Sequence, residues 1–182
     1  MEFDKLKTEY IPLTKNFSCG NIVIDNFLKN SDALDDNQGI TYILLSDDKD
    51  FIIGYYNISV GRVDQIEIIG DGVRYIPMGG AANINYLAVD ERLQHTQIVE
   101  GEKFSFGDYI LRDCEKKILQ LREKIGMAFV TLYSTEEGYH LYHDRNCYED
   151  FDDDMSTFVE ETNKSCYKLY KWVDDIPVET FG

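Results

Sequence analysis

One long amphipathic helix between two strand-like segments constrains the fold of this chain more than any other feature. In residues 105–125, apolar side chains recur every three or four positions, which predicts a helix with one buried face. That face comprises Ile110, Cys114, Ile118, Leu121 and Ile125. Residues 83–90 and 127–133 on either side are predicted strands, the second apolar enough to be buried on both faces. This unit predicts a right-handed crossover between parallel strands, with a ligand site at the helix N-terminus.

Both ends of this helix are marked in the sequence. Ser105 can cap the N-terminus, and Asp108 stands where a capping box places its carboxylate. Gly126 is expected to end the helix. Because a helix N-terminus presents unpaired N–H groups, its first turn can bind an anion, and Asp108 can compete with that anion for the same groups.

Shorter elements are predicted on either side of this unit. They are a helix at 21–30, a short helix or loop at 31–37, a hairpin of strands 40–45 and 51–60 with a bulge or bend at Gly54, a short strand near 73–77 within the glycine-punctuated stretch 61–80, a long loop at 93–104, a short helix at 136–145, and strands at 148–151 and 167–173. This order predicts an α+β fold, a mixed central β-sheet flanked by helices, in a single domain of residues 1–182.

The net charge of the chain limits the classes of partner that it is expected to bind. Its 182 residues carry a net charge of −16, and the longest basic run is Lys116-Lys117. Nucleic-acid binders usually show a basic surplus, so nucleic acid and anionic membrane are disfavoured, although a local basic groove stays open. No apolar run approaches the roughly 20 residues of a membrane span, and the opening MEFDKLKTEYIPL does not resemble a signal peptide, so a cytoplasmic location is expected.

The four cysteines and three histidines form no pattern typical of metal ligands. No C-x-x-C pair occurs, so the cysteines are expected to be reduced and packed. His140 and His143 are three residues apart and can share a helix face, where surface positions explain them better than a metal does. No metal is predicted.

Four motifs, in this order and spacing, resemble the GNAT superfamily of acyl-CoA-dependent N-acyltransferases over roughly residues 17–173. They are Phe17-Ser18-Cys19-Gly20 with Ile24-Asp25 and Phe27-Leu28, then Ile53-Gly54-Tyr55-Tyr56, then Leu87-Ala88-Val89-Asp90, and finally Leu141-Tyr142-His143-Asp144-Arg145-Asn146-Cys147-Tyr148. They are similar to the F-x-C-G…L-D-x-F-L opening, the G-Y-Y strand, the L-A-V-D strand and the F-Y-x-R-N-G-F end motif of one bacterial branch. Cys147 and Tyr148 stand in the Gly-Phe places of the last.

The resemblance implies acetyl-CoA as co-substrate and a GNAT-like sheet. Its pantetheine arm would bond the backbone of the strand Leu87-Ala88-Val89, and its pyrophosphate would lie on the helix start Ser105-Phe106-Gly107-Asp108-Tyr109, with Thr135 as a further contact. In the family's pyrophosphate loop, Q/R-x-x-G-x-G/A, Ser105 replaces the first glycine and Gly107 fits. Taken without the resemblance, Gly107 belongs to a plain helix start and Tyr142 to the core.

The resemblance also implies a mechanism, direct transfer of the acetyl group to a primary amine. A backbone amide would polarise the thioester carbonyl. Tyr142 would protonate the leaving thiolate, because a phenol with a pKa of about 10 matches a thiolate of similar basicity. Some relatives carry a glutamate base about where Asn83 stands. Because asparagine cannot accept a proton, a water chain or an amine that arrives neutral is expected here.

Three functions stay open at this point. The main interpretation is an enzyme, an acetyl-CoA-dependent N-acetyltransferase of an unidentified small-molecule or protein amine, with a homodimer allowed. The second is a toxin-type acetyltransferase acting on aminoacyl-tRNA, because those toxins share the opening motif and the G-Y-Y strand. The third is a catalytically inactive GNAT-fold binding module, which the substitutions Ser105 and Asn83 motivate.

Overall fold

The computed structural model describes residues 1–99, 101–157 and 166–178, and within them eight strands form one sheet. The strands are β1 (Glu2–Lys5), β2 (Ile40–Leu45), β3 (Ile52–Ile69), β4 (Gly72–Val89), β5 (Phe129–Ser134), β6 (Glu149–Asp150), β7 (Met155–Thr157) and β8 (Tyr167–Trp172). The helices are α1 (Ile11–Thr14), α2 (Ile22–Lys29), α3 (Phe106–Arg122) and α4 (Glu136–Tyr139), and α4 continues into a π-helix, His140–Asp144. Short 3-10 turns span Thr8–Tyr10, Ser31–Leu34, Asp36–Gln38 and Val173–Asp175.

The sheet is mixed, as the sequence predicts. Its strands lie in the order β1-β2-β3-β4-β5-β8-β6, with β7 paired to β3. The Ala128 N–H donates to the Gly80 carbonyl, and the Thr131 hydroxyl donates to the Asn83 side chain. These contacts advance in the same direction along β4 and β5, which is the parallel arrangement expected for the crossover. In contrast, β5 and β8 are antiparallel.

Contacts divide the chain into two compact units, of which the first comprises residues 1–59 and 84–114. Here β1 pairs antiparallel with β2, and β2 with β3. The α2 helix begins at Asn21, whose side chain accepts hydrogen bonds from the N–H groups of Val23 and Ile24. The buried core of this unit consists of Leu6, Phe17, Leu28, Ala33, Ile43, Leu45, Ile52, Tyr55 and Ala88.

The second unit comprises residues 60–83 and the described residues from 115 onward. β7 pairs with the outer part of β3 through Val63, Asp64 and Gln65, and β8 lies between β5 and β6. A second core lies in this unit and consists of Val63, Ala81, Phe129, Met155 and Tyr170. The single domain predicted for residues 1–182 stays a prediction.

The hairpin of β3 and β4 is far longer than the sequence predicts. The strands predicted at 51–60, near 73–77 and at 83–90 are all present, but as parts of two strands of 18 residues each, so the predicted short lengths are wrong. Gly70, with φ of 59°, forms the turn at the tip. Gly61 instead lies within β3, where an added Cβ would come within 2.5 Å of the Asn83 side chain. This glycine therefore permits close strand packing and does not interrupt the strand.

The α3 helix ends earlier than predicted. Ile110, Cys114 and Ile118 are fully buried, as expected from the stripe. Leu121 and Ile125 are 38% and 48% exposed, so their predicted core positions are wrong. The helix ends at Arg122, before Gly126 is reached, and in the turn that follows the N–H groups of Lys124 and Ile125 both donate to the Leu121 carbonyl. Among the described helices, none combines the length and the hydropathy that a membrane span needs.

Candidate functional site

The strand end predicted to hold pantetheine lies in the first unit, at the last three residues of β4. Ala88 is buried, whereas Leu87 and Val89 are partly exposed. The Gln94 side-chain amide donates to the Val89 carbonyl at 3.0 Å and to the Cys19 carbonyl at 2.8 Å. The Val89 carbonyl, a predicted ligand group, therefore already accepts one hydrogen bond from the protein.

The opening motif of the chain anchors this strand end. Asp25 is buried, and its carboxylate accepts hydrogen bonds from the Cys19 N–H at 2.8 Å and the Ser18 hydroxyl at 3.3 Å. The Ser18 carbonyl in turn accepts the N–H of Glu91, two residues after β4. Burial raises the pKa of the Cys19 thiol to about 12, so this cysteine is not a nucleophile at neutral pH. The motif thus has a structural function, which is to hold the turn that follows β4.

Gly54, in the G-Y-Y motif, allows β3 to approach the same strand end. A Cβ at this position would lie 2.5 Å from the Ala88 carbonyl oxygen and 2.4 Å from Cδ1 of Ile110. The adjacent Ile53 is the extra residue of a β-bulge, as predicted, and its carbonyl accepts the Asp90 N–H at 2.8 Å. Only glycine fits here without displacing the backbone of β4.

A buried carboxylate closes the turn after β4. Asp90 is 1% exposed, and the Arg92 guanidinium donates to its two oxygens at 2.7 and 3.0 Å. Burial acts to raise the pKa of Asp90, but the hydrogen bonds from Arg92 outweigh it and lower the pKa below its usual value. The same guanidinium lies 4.9 Å from the ring centroid of Phe51. The turn is therefore fixed by charge as well as by packing.

At the N-terminus of α3, the Asp108 side chain folds back and bonds to Ser105. Oδ2 of Asp108 accepts hydrogen bonds from the Ser105 N–H at 2.8 Å and from its hydroxyl at 2.6 Å. The predicted capping box, with Asp108 folded back, is thus confirmed. Phe106 and Gly107 are buried in this turn, and the ring of Tyr109 packs 5.3 Å from that of Phe3. The five predicted pyrophosphate residues do share the first turn of the helix, but the Ser105 N–H in that turn already donates to a carboxylate.

Tyr142 lies in the second unit, inside the π-helix. Its side chain is 7% exposed, and its ring packs edge-on against Tyr148 with centroids 5.6 Å apart. The Tyr148 N–H donates to the Tyr142 carbonyl at 3.0 Å. Between them, Cys147 has a left-handed backbone with φ of 56°, which suits a glycine and explains the glycine place of the end motif. The structure fixes the ring of Tyr142, while its role as general acid stays a prediction.

Two other predicted residues have side chains engaged within the second unit. The Thr135 hydroxyl caps α4 by accepting the Gly138 N–H at 3.2 Å, so its predicted contact with a cofactor stays a prediction. The Asn83 side-chain oxygen accepts the Thr131 hydroxyl. Asn83 therefore links β4 to β5, a structural function that needs no proton transfer.

The histidines lie on the surface, as expected. His140 and His143 place their Nδ1 atoms 2.7 and 2.8 Å from Asp144, and these hydrogen bonds lower the pKa of that carboxyl. Cys114 is buried as predicted, whereas Cys147 is exposed, so the prediction of packed cysteines is wrong for Cys147.

Sequence reasoning missed one charged cluster in the second unit. Glu115 and Lys171 form an ion pair 3.0 Å apart with both side chains 5% exposed, and Tyr148 donates its hydroxyl to Glu115. Glu115 follows the buried Cys114 by one residue, which places it outside the apolar face predicted for α3. No local pattern indicates the pair, because its partners are 56 residues apart.

Comparisons with known proteins define the fold. No family model matches the chain. A curated relative, "Probable toxin TacT" from Sinorhizobium fredii, is 30% identical over 122 residues. This match covers 64% of the chain and 62% of the relative, so it spans less than two thirds of the relative's length.

Solved structures match over nearly the whole chain. A bacterial toxin has a TM-score of 0.74 at 15% identity, covering 96% of this chain and 92% of its own. AtaTR bound with AcCoA has 0.71 at 14% identity, covering 96% and 95%. The KacTA–DNA complex has 0.66 at 14% identity, covering 96% and 94%. The chain therefore has the GNAT-like acetyltransferase fold, and the resemblance predicted from its motifs is confirmed. Within that class, it has the fold of the bacterial toxins AtaT and KacT.

The predicted partners are wrong. A small-molecule or protein amine was expected and nucleic acid was disfavoured, whereas the similar structures are toxins held with the antitoxin AtaR or with DNA. The net charge of −16 misled the prediction, because it sums over the whole chain. Contact with nucleic acid depends on a local surface, or on a second protein of the same complex.

Proposed function

We propose that this chain is a toxin-type, acetyl-CoA-dependent N-acetyltransferase that modifies the α-amino group of aminoacyl-tRNA. The observation that carries the proposal is the similarity, over 96% of the chain, to the structure of AtaTR bound with AcCoA. It favours this second interpretation over the main one, an unspecified primary amine. The curated relative of the same kind supports the choice.

The chemistry of the chain supports an α-amino acceptor in particular. An α-amino group has a pKa of about 7.7–8.0, whereas that of a lysine amine is about 10.4, so a useful fraction of the α-amine is neutral at pH 7. Such an amine needs no strong base. Asn83, whose side chain is bonded to Thr131, supplies none. The absence of a glutamate at this position is therefore compatible with catalysis on an α-amine and would hinder catalysis on lysine.

The proposed step is a single displacement. The neutral amine nitrogen attacks the thioester carbonyl carbon, the C–S bond breaks, and the nitrogen loses its proton to water. Tyr142 donates its phenolic proton to the departing thiolate and recovers one from solvent. A tyrosine-to-phenylalanine mutant of AtaT is among the similar structures, and the same change at Tyr142 would remove this phenol.

A locally basic surface could contact the tRNA phosphates. The charged residues from position 116 to 124 are Lys116, Lys117, Arg122, Glu123 and Lys124, four of them basic. Lys116 and Lys124 are exposed. The neighbouring Glu115 does not oppose them, because it is buried against Lys171. Replacing Lys116 and Lys124 by glutamate should weaken tRNA binding and its salt dependence, leaving acetyl-CoA binding unchanged.

We also infer an antitoxin partner, because AtaT is known in complex with the C-terminus of its antitoxin AtaR. The net charge of −16 favours a basic segment for that partner. Binding of the toxin to an antitoxin peptide of this kind should weaken as salt is raised.

The test is transfer of labelled acetyl groups from acetyl-CoA to tRNA. The protein is incubated with a charged tRNA pool, with the same pool deacylated, and with lysine-rich protein. Label should enter only the charged tRNA pool. Mild alkali, which hydrolyses the ester bond to the tRNA, should then release the label as an N-acetylated amino acid. Tyr142→Phe is the control enzyme. Label found only in the lysine-rich protein would overturn the proposed acceptor.

Acetyl-CoA binding separates the enzyme from an inactive module. At tenfold excess over its Kd, a bound ligand stabilises the folded state by about 1.4 kcal/mol. A rise in melting temperature is therefore expected at sub-millimolar acetyl-CoA. No rise at millimolar concentration would contradict the proposed enzyme and favour a binding module.

A further inference from the structure

A buried ion pair joins α3 to β8 in the second unit. Lys171 Nζ donates to Glu115 Oε1 at 3.0 Å, and each side chain is 5% exposed. Burying two charges carries a desolvation penalty that a well-packed apolar pair would avoid. The pair therefore adds little stability over apolar side chains. Its contribution has to come from the directed hydrogen bonds that it makes.

Those hydrogen bonds lead to the segment after the π-helix. Lys171 Nζ also donates to the Asn146 carbonyl at 3.1 Å, and the Tyr148 hydroxyl donates to Glu115 Oε1 at 3.1 Å. Nζ lies 5.3 Å from the centroid of the Tyr148 ring. The two charges thus hold both the backbone at Asn146 and the side chain of Tyr148.

Asn146 and Tyr148 in turn bond to the π-helix. The Asn146 side chain donates to the Leu141 carbonyl at 2.8 Å, and the Tyr148 N–H donates to the Tyr142 carbonyl at 3.0 Å. The Tyr148 ring also forms the edge-on contact with the Tyr142 ring. Both the backbone and the ring of Tyr142 are therefore within one contact of residues that the ion pair binds.

We propose that Glu115 and Lys171 are positioning residues that set the orientation of the Tyr142 phenol through Asn146 and Tyr148. The proposal rests on the proposed function, in which that phenol donates a proton to the thiolate. General acid catalysis requires the donor within about 2.6–3.2 Å of its target, so a small displacement of the ring lowers the rate without altering substrate binding. Neither charge touches the reacting atoms.

The main variant is the double substitution Glu115→Gln with Lys171→Met, which removes both charges and leaves neither one buried alone. We expect kcat for labelled acetyl transfer to charged tRNA to fall about 10- to 100-fold, by analogy with the residues that orient metal ligands in other enzymes. KM for acetyl-CoA should stay within about twofold, because the contact matters mainly in the transition state. Tyr170→Phe is the matched control, since Tyr170 precedes Lys171 on β8 and the change removes only a hydroxyl that donates to Glu149 on β6.

Non-additivity distinguishes positioning from a general structural effect. In a Tyr142→Phe background, the double substitution should lower kcat no further, because the group that it positions is absent. A full additional loss in that background would overturn the proposal. If the double variant has no cooperative melting transition, Tyr148→Phe replaces it, since it removes only the hydroxyl bonded to Glu115. The same pattern is then expected with a smaller loss.

A second readout does not depend on activity. In protein labelled with ¹³C at the tyrosine ring, the Tyr142 signal is assigned by its loss in Tyr142→Phe. That signal should move in the double variant and stay in place in Tyr170→Phe. An unmoved signal would overturn the positioning role. If the wild-type protein transfers no acetyl to charged tRNA, the proposed function fails, while this measurement still decides whether the pair orients Tyr142.

Discussion

Asp108 folds back onto Ser105, and one of its carboxylate oxygens accepts both the Ser105 N–H, at 2.8 Å, and the Ser105 hydroxyl, at 2.6 Å. Neutralising this carboxylate should favour acetyl-CoA, because a negative charge at a helix N-terminus repels the pyrophosphate that would bind there. For Asp108→Asn we expect a gain of about 0.3–1 kcal/mol in acetyl-CoA binding, measured by calorimetry.

The matched control for this change is Asp113→Asn on the same helix. Asp113 accepts a hydrogen bond from Tyr56 and lies more than one turn from the N-terminus, so its acetyl-CoA affinity should stay that of the wild type. Weaker acetyl-CoA binding in Asp108→Asn would show instead that the carboxylate shapes the loop for the ligand.

Replacement of Tyr142 by phenylalanine tests the proposed proton donor. The ring remains and keeps its packing against Tyr148, so acetyl-CoA affinity and melting temperature should change little. Because general-acid catalysis contributes about 10²–10⁴-fold, kcat should fall by a factor in that range. A variant with the wild-type kcat would make solvent the proton donor and Tyr142 a packing residue.

Gly54→Ala should destabilise the protein. Its new methyl would meet the Ala88 carbonyl at 2.5 Å, and a backbone atom cannot move aside as a flexible side chain does. The expected loss in the free energy of unfolding is about 1–3 kcal/mol, the usual effect of overpacking. Gly126→Ala, where nothing lies within 4 Å of an added Cβ, is the control. Equal melting temperatures for the two variants would contradict the close approach.

Cys147→Gly should stabilise the protein. A left-handed backbone is unfavourable for residues other than glycine by about 1–2 kcal/mol, and the greater freedom of glycine in the unfolded chain offsets about half of that. A rise in chemical-denaturation midpoint is expected, whereas Cys147→Val should lower it. Cys166→Gly, at a position without a positive φ, is the control and should not stabilise the protein. A less stable Cys147→Gly would contradict the strain argument.

The Arg92–Asp90 pair predicts a dependence of stability on pH. A carboxyl whose pKa is lowered in the folded protein adds stability above its unfolded pKa, about 3.9, and loses it as the pH falls through the folded value. Arg92→Met removes the guanidinium charge and its two hydrogen bonds, while the backbone N–H of residue 92 still donates to Asp90 Oδ1 at 3.1 Å. Burial is then opposed by fewer hydrogen bonds, so the pKa of Asp90 rises. We expect a loss of about 1.5–3 kcal/mol at pH 7 that shrinks below pH 4. Arg74→Met, at an exposed position, should show a smaller loss that does not depend on pH in this way.

Local features of this fold could be predicted from the sequence, and distant ones could not. Ser105 and Asp108 are three residues apart, so their capping box follows from the sequence alone. The buried face of α3 also follows for Ile110 to Ile118. It fails at Ile125, because a closing turn at Leu121 ends the helix first.

Features that depend on a distant partner escaped prediction. The predicted strand ended at residue 60, yet β3 continues through Gly61 to Ile69, and the Asn83 side chain leaves no room for a Cβ at Gly61. The Glu115–Lys171 pair joins a helix to a strand, and the periodicity of neither element places one opposite the other. In both cases the sequence does not tell which distant segment packs against the residue.

The order of synthesis bears on the opening motif. The hydrogen bond from Gln94 to the Cys19 carbonyl joins residues 75 apart. A ribosome adding about 5–20 residues each second needs roughly 4–15 seconds to make that stretch. Residues of β2 and β3 that share a core with α2 are made early in this interval, whereas Ala88 and the turn after β4 come only near its end. The core of the first unit stays incomplete until then. The opening motif is therefore made well before the turn that it anchors.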